Sequence, residues 1–330
     1  MSAASAAAPV RLDFAGGWTD VPPYSTRESG VVVSAAIALY ARADVRPRDA
    51  GYRLVSKDLG TELELAGAAE LATAEPLPLL RAGLRMLPVG PCTLTTTSDA
   101  PPGSGLGSSG ALDVAIVAAL AAARGEAPGV RATADLACRL EGVEAGIAGG
   151  RQDQFTAAFG GVLRLEFRDP DATVEPLALD PGFLADLERR LVLCYTGASR
   201  FSGATIERVM RAYERGDAEI SRALDGLRSV AEAVAGAFQA ADAGRLGALL
   251  AQNWRLQQAL DPGMCTPEMA RLDQAMRAAG ALGGKAAGSG AGGSMFYLAS
   301  GDPAPLAAAA RELGMRLLPV RWAMSGVYPC

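Results

Sequence analysis

The sequence predicts a two-domain protein that combines sheet with helix, on three observations. Its 330 residues exceed the usual size of one domain, and a hydrophobic content of 50% can fill a large core. Short β-patterned runs crowd the stretch from Val10 to Leu65, whereas Ala204 to about Ala259 is mostly helical in pattern. Between Cys92 and Arg124 a threonine-rich strand, a glycine-serine turn and an alanine-rich helix follow in order.

Val10–Phe14 reads as a strand that ends at the sharp turn Ala15-Gly16-Gly17-Trp18-Thr19-Asp20. Val21-Pro22-Pro23-Tyr24 then bars a helix. Val31–Leu39 and Tyr40–Arg46 carry Val, Ile and alternating apolar positions, and Tyr52–Ser56 and Glu62–Leu65 look alike, so this half forms sheet. Cys92–Thr97 is the next strand, and Ala111–Arg124 is the helix after it, with Ser108 or Ser109 as cap. A helix from Thr133 to about Ile147 would bury Leu136, Leu140 and Val143 and set Glu141 and Glu144 on one side. Gly149-Gly150 breaks it, Arg151–Phe159 is a short helical segment closed by Gly160-Gly161, and Val162–Phe167 is a strand. The acidic, proline-containing stretch Asp169–Gly182 is the best boundary, giving domains 1–182 and 183–330. Beyond it Leu191–Thr196 is a strand, and Met295–Ala299 is a strand behind a second glycine-rich loop.

Composition narrows the chemistry. The chain has no histidine, which excludes a Ser-His-Asp or Cys-His mechanism, histidine acid/base catalysis and a histidine-ligated metal, so carboxylates must move any proton. Cys92, Cys138, Cys194, Cys265 and Cys330 are odd in number and far apart, unlike a disulfide framework or a zinc site. A net charge of -5 and a pI near 5.1 argue against a nucleic-acid partner. No apolar run reaches the roughly 18 residues a membrane span needs, and the opening MSAASAAAPV lacks the marks of a secretory signal, so a cytoplasmic protein with no membrane partner is expected. Only Lys57 and Lys285 are lysine in a chain rich in arginine, which fits either two places that need a compact ammonium or chance.

The run PPGSGLGSSGA, Pro101–Ala111, is shaped to hold phosphate: its glycines let backbone N–H groups converge, and the helix behind it adds a positive end. On its own, such a turn is more often an ordinary loop with a cap. The second loop, Gly283–Ser294, is dense in glycine, which fits either a close approach of backbone to ligand or a flexible linker; the strand after it pins its far end. Neither loop matches a Walker, dinucleotide-binding or protein-kinase signature, leaving a phosphate site of another kind.

Three motifs in order, APVRLDFAGGWTD, PPGSGLGSSGA and KAAGSGAGGSMF, resemble those of the GHMP small-molecule kinases, among them galactokinase, homoserine kinase, mevalonate kinase and phosphomevalonate kinase. Within that family the chain looks most like the D-glycero-D-manno-heptose 7-phosphate kinases, through GGRQDQFTAAFGG, LVLCYTGASR and AGALGGKAAGSGAGG. The segment GGWTDVPPYS is equally similar to the L-fucokinase branch. Both branches phosphorylate an anomeric hydroxyl. The resemblance implies an α+β fold with an N-terminal mixed-sheet α/β domain, a ferredoxin-like C-terminal domain, and the active site in the cleft between them. It also implies ATP and Mg²⁺, a sugar or sugar-phosphate substrate, and a monomer or homodimer.

By the same resemblance Asp153 is the catalytic carboxylate that accepts the hydroxyl proton, and Arg11 offsets charge beside it. The ATP phosphates fall to Pro102, Gly103, Ser104, Gly105, Leu106, Gly107, Ser108 and Ser109. Glu141, twelve residues before Asp153, binds the metal with Ser109 and a possible contribution from Ser108, while Glu144 is the decoy. Asp20, nine residues after Arg11, grips sugar hydroxyls, with Gly17, Trp18, Gly150, Arg151, Gly290 and Gly292 also at the substrate. A 7-phosphate would need a cationic pocket, for which Arg27, Lys57, Arg151 and Arg200 are candidates. The chain departs from the heptose kinases in Arg151, where lysine is usual, in Trp18, where glycine is common, and in Ala291 and Ser294. Trp18 could stack on a sugar or merely pack. An L-fucose 1-kinase is the runner-up, and a sensor that binds ATP and sugar without transfer is the remote alternative.

Overall fold

The computed structural model describes residues 2–197 and 203–330; Arg200 lies outside them. Strand β1 (Ala4–Ala15) pairs antiparallel with β2 (Gly30–Pro47), and the connection between them carries the short helix α1 (Tyr24–Arg27). Helix is thus excluded through Pro23 but not at Tyr24, where a proline behind the first turn is tolerated. Two strands were expected between Val31 and Arg46, and one is present. Its register against β1 shifts opposite Pro9 and Val10, so a single strand bends there instead of ending.

This long strand serves two neighbours. Its second half pairs with β5 (Cys92–Ser98) and its first half with β6 (Val162–Arg168). Strands β3 (Tyr52–Ser56) and β4 (Thr61–Leu65) extend the sheet beyond β5, β3 running parallel to it. Strand β7 (Asp171–Pro176) pairs with β6 inside the stretch read from sequence as a boundary, because its alternate residues Ala172 and Val174 face covered positions.

Helices α2 (Pro78–Met86), α3 (Ser108–Ala123), α4 (Val130–Arg139) and α5 (Gln152–Phe159) belong to this first half, with α3 and α5 packed on β1 and β2. Neither Ser108 nor Ser109 caps α3. Gly107 holds that position at φ +73°, and both serines lie in the first turn. Helix α4 does not run on regularly to Ile147; Leu140–Glu144 forms a π-helical turn closed by Ala145 N–H to Leu140 O at 2.9 Å. The wider turn takes its own residues out of the helical register, so Val143, expected in the core, is 73% exposed, while Leu140 stays buried.

The second half runs α6 (Pro181–Arg190), β8 (Leu191–Tyr195), α7 (Gly203–Glu214), α8 (Ala218–Gln239), α9 (Ala243–Leu260), α10 (Pro267–Ala278), β9 (Ala281–Ala286), β10 (Ser294–Ala299), α11 (Ala304–Glu312), β11 (Arg316–Leu318) and β12 (Tyr328–Pro329). Strands β11, β8, β10 and β9 form an antiparallel sheet in that order, the fourth, first, third and second strands of this half, which is the ferredoxin-like arrangement. Gly283, Gly284 and Lys285, expected in a loop, lie in β9. A Cβ on Gly283 would stand 1.9 Å from Gly247 O, and one on Gly284 would stand 2.1 Å from the Tyr297 ring, so these glycines let α9 and β10 pack closely.

The chain end crosses back, with β12 pairing on β1 and Trp322 bridging to Ile37. We propose 1–182 and 183–330 as the two domains, the bound falling in the first turn of α6, since every described strand of the large sheet but β12 ends by Pro176. Phe14 of β1 joins the halves, with ring centroids 5.0 Å from Phe238 and 5.2 Å from Phe296. Among the described residues no helix is long and apolar enough to cross a membrane.

Candidate active site

Strand β1 sends alternate residues to one face, and Arg11 and Asp13 share that face. Arg11 is 5% exposed, and its donors are divided three ways. Nε meets Asp153 Oδ1 at 2.8 Å, while NH1 donates to Gly105 O at 2.8 Å and Ala287 O at 2.9 Å. One side chain therefore ties together the first turn of α5, the glycine-serine loop and the end of β9. Asp153 lies against the start of α3: a Cβ on Gly107 would be 3.0 Å from its carboxyl group, and one on Gly110 would be 2.5 Å from its Cβ.

These groups line a cleft of about 550 Å³ between the halves. The loop before α3 supplies Gly103, Gly105 and Gly107 at positive φ, and the buried hydroxyls of Ser104 and Ser108 have no hydrogen-bond partner among the described residues. Ser109 Oγ contacts Glu141 Oε1, and Gln154 Nε2 donates to Glu141 Oε2 at 2.6 Å. Burial, reinforced by the Asp153 charge, pushes the Glu141 carboxyl up to about 7. Asp20 accepts the backbone N–H of Gln152 at 3.0 Å; burial, with Asp153 and Asp13 nearby, pushes its carboxyl up to about 6. One wall is apolar, formed by Leu59, Leu77, Leu79, Leu80 and Leu112.

Residues 67–161 match the N-terminal domain of the GHMP kinases, and residues 234–314 match their C-terminal domain. The chain is 31% identical over 298 residues to a D-glycero-alpha-D-manno-heptose 7-phosphate kinase of Campylobacter jejuni, covering 88% of this chain and 87% of that one. This chain belongs to the GHMP kinase family. It is 28% identical to a bifunctional fucokinase/GDP-fucose pyrophosphorylase of Arabidopsis thaliana over 94% of its own length and 30% of the relative's. In fold it is similar to a D-glycero-D-manno-heptose 1-phosphate kinase of Bacteroides thetaiotaomicron, with a TM-score of 0.78, 24% identity, and 99% and 98% of the two chains covered.

As a GHMP kinase the protein is an ATP-dependent small-molecule kinase with the two-domain fold of that family. The cleft brings together Arg11, Gly17, Trp18, Asp20, Pro102, Gly103, Ser104, Gly105, Gly107, Ser108, Ser109, Glu141, Gly150 and Asp153. Others of the expected residues lie outside its lining. Leu106 is fully buried, its carbonyl accepting Arg11 N–H at 2.9 Å. Gly290 lies against Met264 and Gln257, and Gly292 sits in the turn before β10, whereas Gly288 and Ser289 line the cleft. Arg151 is turned away: its guanidinium pairs with Asp169 and donates to Pro170 O at 2.8 Å and Asp171 O at 2.9 Å. Arg27 stacks over the Tyr213 ring at 5.7 Å, and Lys57 is exposed. Glu144, the decoy, pairs with Arg139 at 3.1 Å. Trp18 is 5% exposed and packs with Val21, Tyr24 and Met264, although its Nε1 finds no partner among the described residues.

Three residues were missed. Asp113, fully buried, receives Gln154 Nε2 at 3.4 Å, and burial, aided by the Glu141 charge, raises its carboxyl well above the usual range. The signal was a lone acid inside the apolar run of α3. Asp13 lines the cleft, and its clue was its alternation with Arg11. Gln154 carries no charge and stands next to Asp153 in the chain, so nothing local marks it, yet it orients Glu141.

Proposed function

We propose that the protein transfers the γ-phosphoryl group of ATP to the anomeric oxygen of a sugar, with D-glycero-D-manno-heptose 7-phosphate as the first candidate. The observation that carries this reading is the Arg11-held carboxylate of Asp153 standing against Gly107, at the foot of the glycine-serine loop. There a hydroxyl can meet both a base and a terminal phosphate. Asp153 accepts the proton of the anomeric hydroxyl as its oxygen bonds to the γ-phosphorus, and the bond to the β,γ-bridging oxygen breaks to release ADP. The positive end of α3 and its N–H groups hold the phosphates, Arg11 balances the charge around Asp153, and Asp20 orients sugar hydroxyls. The apolar leucine wall suits a planar base.

The donor set at the start of α3 fits Mg²⁺: two hard oxygens, Ser109 Oγ and Glu141 Oε1, meet there, and the half-buried Glu141 carboxylate has no cationic partner among the described residues. Bound by Ser109 and Glu141, the ion would neutralise phosphate charge. Gln154 keeps Glu141 turned toward Ser109.

The heptose phosphate is placed first because the 31% identity to the Campylobacter kinase extends over 88% of the chain. One observation favours L-fucose instead. Among the described lining residues Arg11 is the cation, and it is engaged by Asp153, so an uncharged sugar suits that lining better. Incubation with Mg·ATP and each sugar, followed by phosphorus NMR, separates the two; turnover of fucose but not of the heptose phosphate reverses the order. The variant Asp153→Asn is expected to lose turnover by about 10²- to 10⁴-fold with ATP binding kept, measured by ADP release and nucleotide titration. Comparable activity in that variant would remove Asp153 as the base, and ATP-dependent sugar binding without any ADP release from the parent protein would favour a sensor.

A further inference from the structure

Lys285 is one of two lysines in the chain, and it is fully buried. From β9 it reaches across to β1, donating to Asp13 O at 2.6 Å and Asp13 Oδ2 at 3.0 Å, with its ammonium 5.7 Å from the centre of the Phe296 ring. The ion pair therefore spans the two halves. Asp13 is 2% exposed, and its second oxygen, Oδ1, has no partner among the described residues.

Two positions away on the same face of β1 is Arg11, whose guanidinium must stay on Asp153. A buried carboxylate with a free oxygen, about 7 Å along the strand from Arg11, is a rival for that guanidinium. Lys285 occupies the rival. The ammonium suits the task because it is a compact point charge with several donors, enough for both the carboxylate and the main-chain carbonyl of Asp13. Arginine, a planar fork, would not fit between β9, Phe296 and β1 in the same way.

We propose that Lys285 is a positioning residue for phosphoryl transfer: by neutralising Asp13 it reserves Arg11 for Asp153. The inference rests on the kinase reading above. Loss of the ammonium lets Asp13 draw Arg11 away, so Asp153 loses its orientation while the nucleotide and sugar contacts remain.

The test compares parent, Lys285→Met and Asp13→Asn/Lys285→Met in ADP release with Mg·ATP and whichever of L-fucose and D-glycero-D-manno-heptose 7-phosphate the parent accepts. Lys285→Met is expected to lose about 10- to 100-fold in kcat, with KM for both substrates within about threefold of the parent's, since contacts shared by ground and transition states are kept. The double variant, in which no charge is left to compete, is expected to regain kcat to within about fivefold of the parent. A pair that serves stability alone would lower the melting temperature of Lys285→Met and leave kcat of the folded enzyme near the parent's, and that result overturns the proposal, as does a double variant as slow as the single one. Should Lys285→Met not fold, Lys285→Gln, which keeps a donor for the Asp13 carbonyl, carries the same expectations against Asp13→Asn/Lys285→Gln. A parent that turns over neither sugar removes the proposed anomeric sugar-kinase activity and this inference, which rests on it, whereas an active parent without rescue removes this inference alone.

Discussion

Burial raises the carboxyls of Asp20 and Glu141, two of the acids that face the cleft. Asp20 is 1% exposed, and its carboxyl stands at about 6 against an ordinary 3.8. Between those values the folded chain keeps a proton that the unfolded chain has released, so stability falls as pH rises through the interval, and the full penalty stands above it. A shift of that size corresponds to about 3 kcal/mol. Asp20→Asn is therefore expected to be more stable than the parent by up to about that amount at pH 8 and equal to it near pH 3, in chemical denaturation at both pH values. The same variant should raise KM for the sugar, because an amide is a weaker acceptor than a carboxylate; an unchanged KM would take Asp20 out of the substrate site. Arg11, Asp153 and Asp20 were legible in the sequence because a motif fixes their spacing. Asp13 and Asp113 were not, since each looks like part of an apolar pattern and acquires its partners, Lys285 and Gln154, only by folding.

Two loops meet where the nucleotide phosphates are expected, and glycine makes the meeting possible. A Cβ on Gly288 would lie 2.4 Å from Gly105 O, the oxygen that also receives Arg11 NH1. Gly288→Ala must push the second loop away from the first, and Gln257 Nε2, which donates to Gly288 O at 2.8 Å, resists that movement. The expected result is a loss of about tenfold or more in kcat/KM for ATP with the melting temperature little changed; steady-state kinetics over a range of ATP decide it, and parent-like values would show that the loops tolerate separation. The sequence marked both loops and the strand-turn-helix order around the first. It did not mark the π-helical turn at Leu140–Glu144, which is flanked by lateral contacts from distant residues, Arg85 donating to Glu144 O at 2.7 Å and Ser109 meeting Glu141. A helical period read along the chain carries no information about such lateral pulls.

The halves of the molecule share one apolar core, in which Phe14 of the first sheet touches Phe238 and Phe296 of the second half, and they are tied further by Lys285 with Asp13 and by Arg11 with Ala287 O. Unfolding is accordingly expected to show one calorimetric transition; two resolved transitions would contradict a shared core. Mg·ATP at about one hundred times its Kd should raise stability by about 2.7 kcal/mol, in Asp153→Asn as in the parent, because that variant keeps the phosphate loop. A thermal-shift titration tests this, and the absence of a shift in both proteins would show that the folded chain does not bind Mg·ATP.

The amino-acid order by itself determined the family, the sheet-rich first half, the helical second half and the two glycine loops, and it marked Arg11, Asp20, Glu141 and Asp153 as candidates that share one cleft, because each is written in local patterns or short motifs. The tertiary structure decided what those residues touch. It turned Arg151 from the cleft onto Asp169, set Lys285 against Asp13 and brought the chain end back to β1. Such pairings join residues far apart in the chain, 272 positions for Asp13 with Lys285, and they are chosen by burial and by competition among charges in three dimensions, neither of which a periodicity can express.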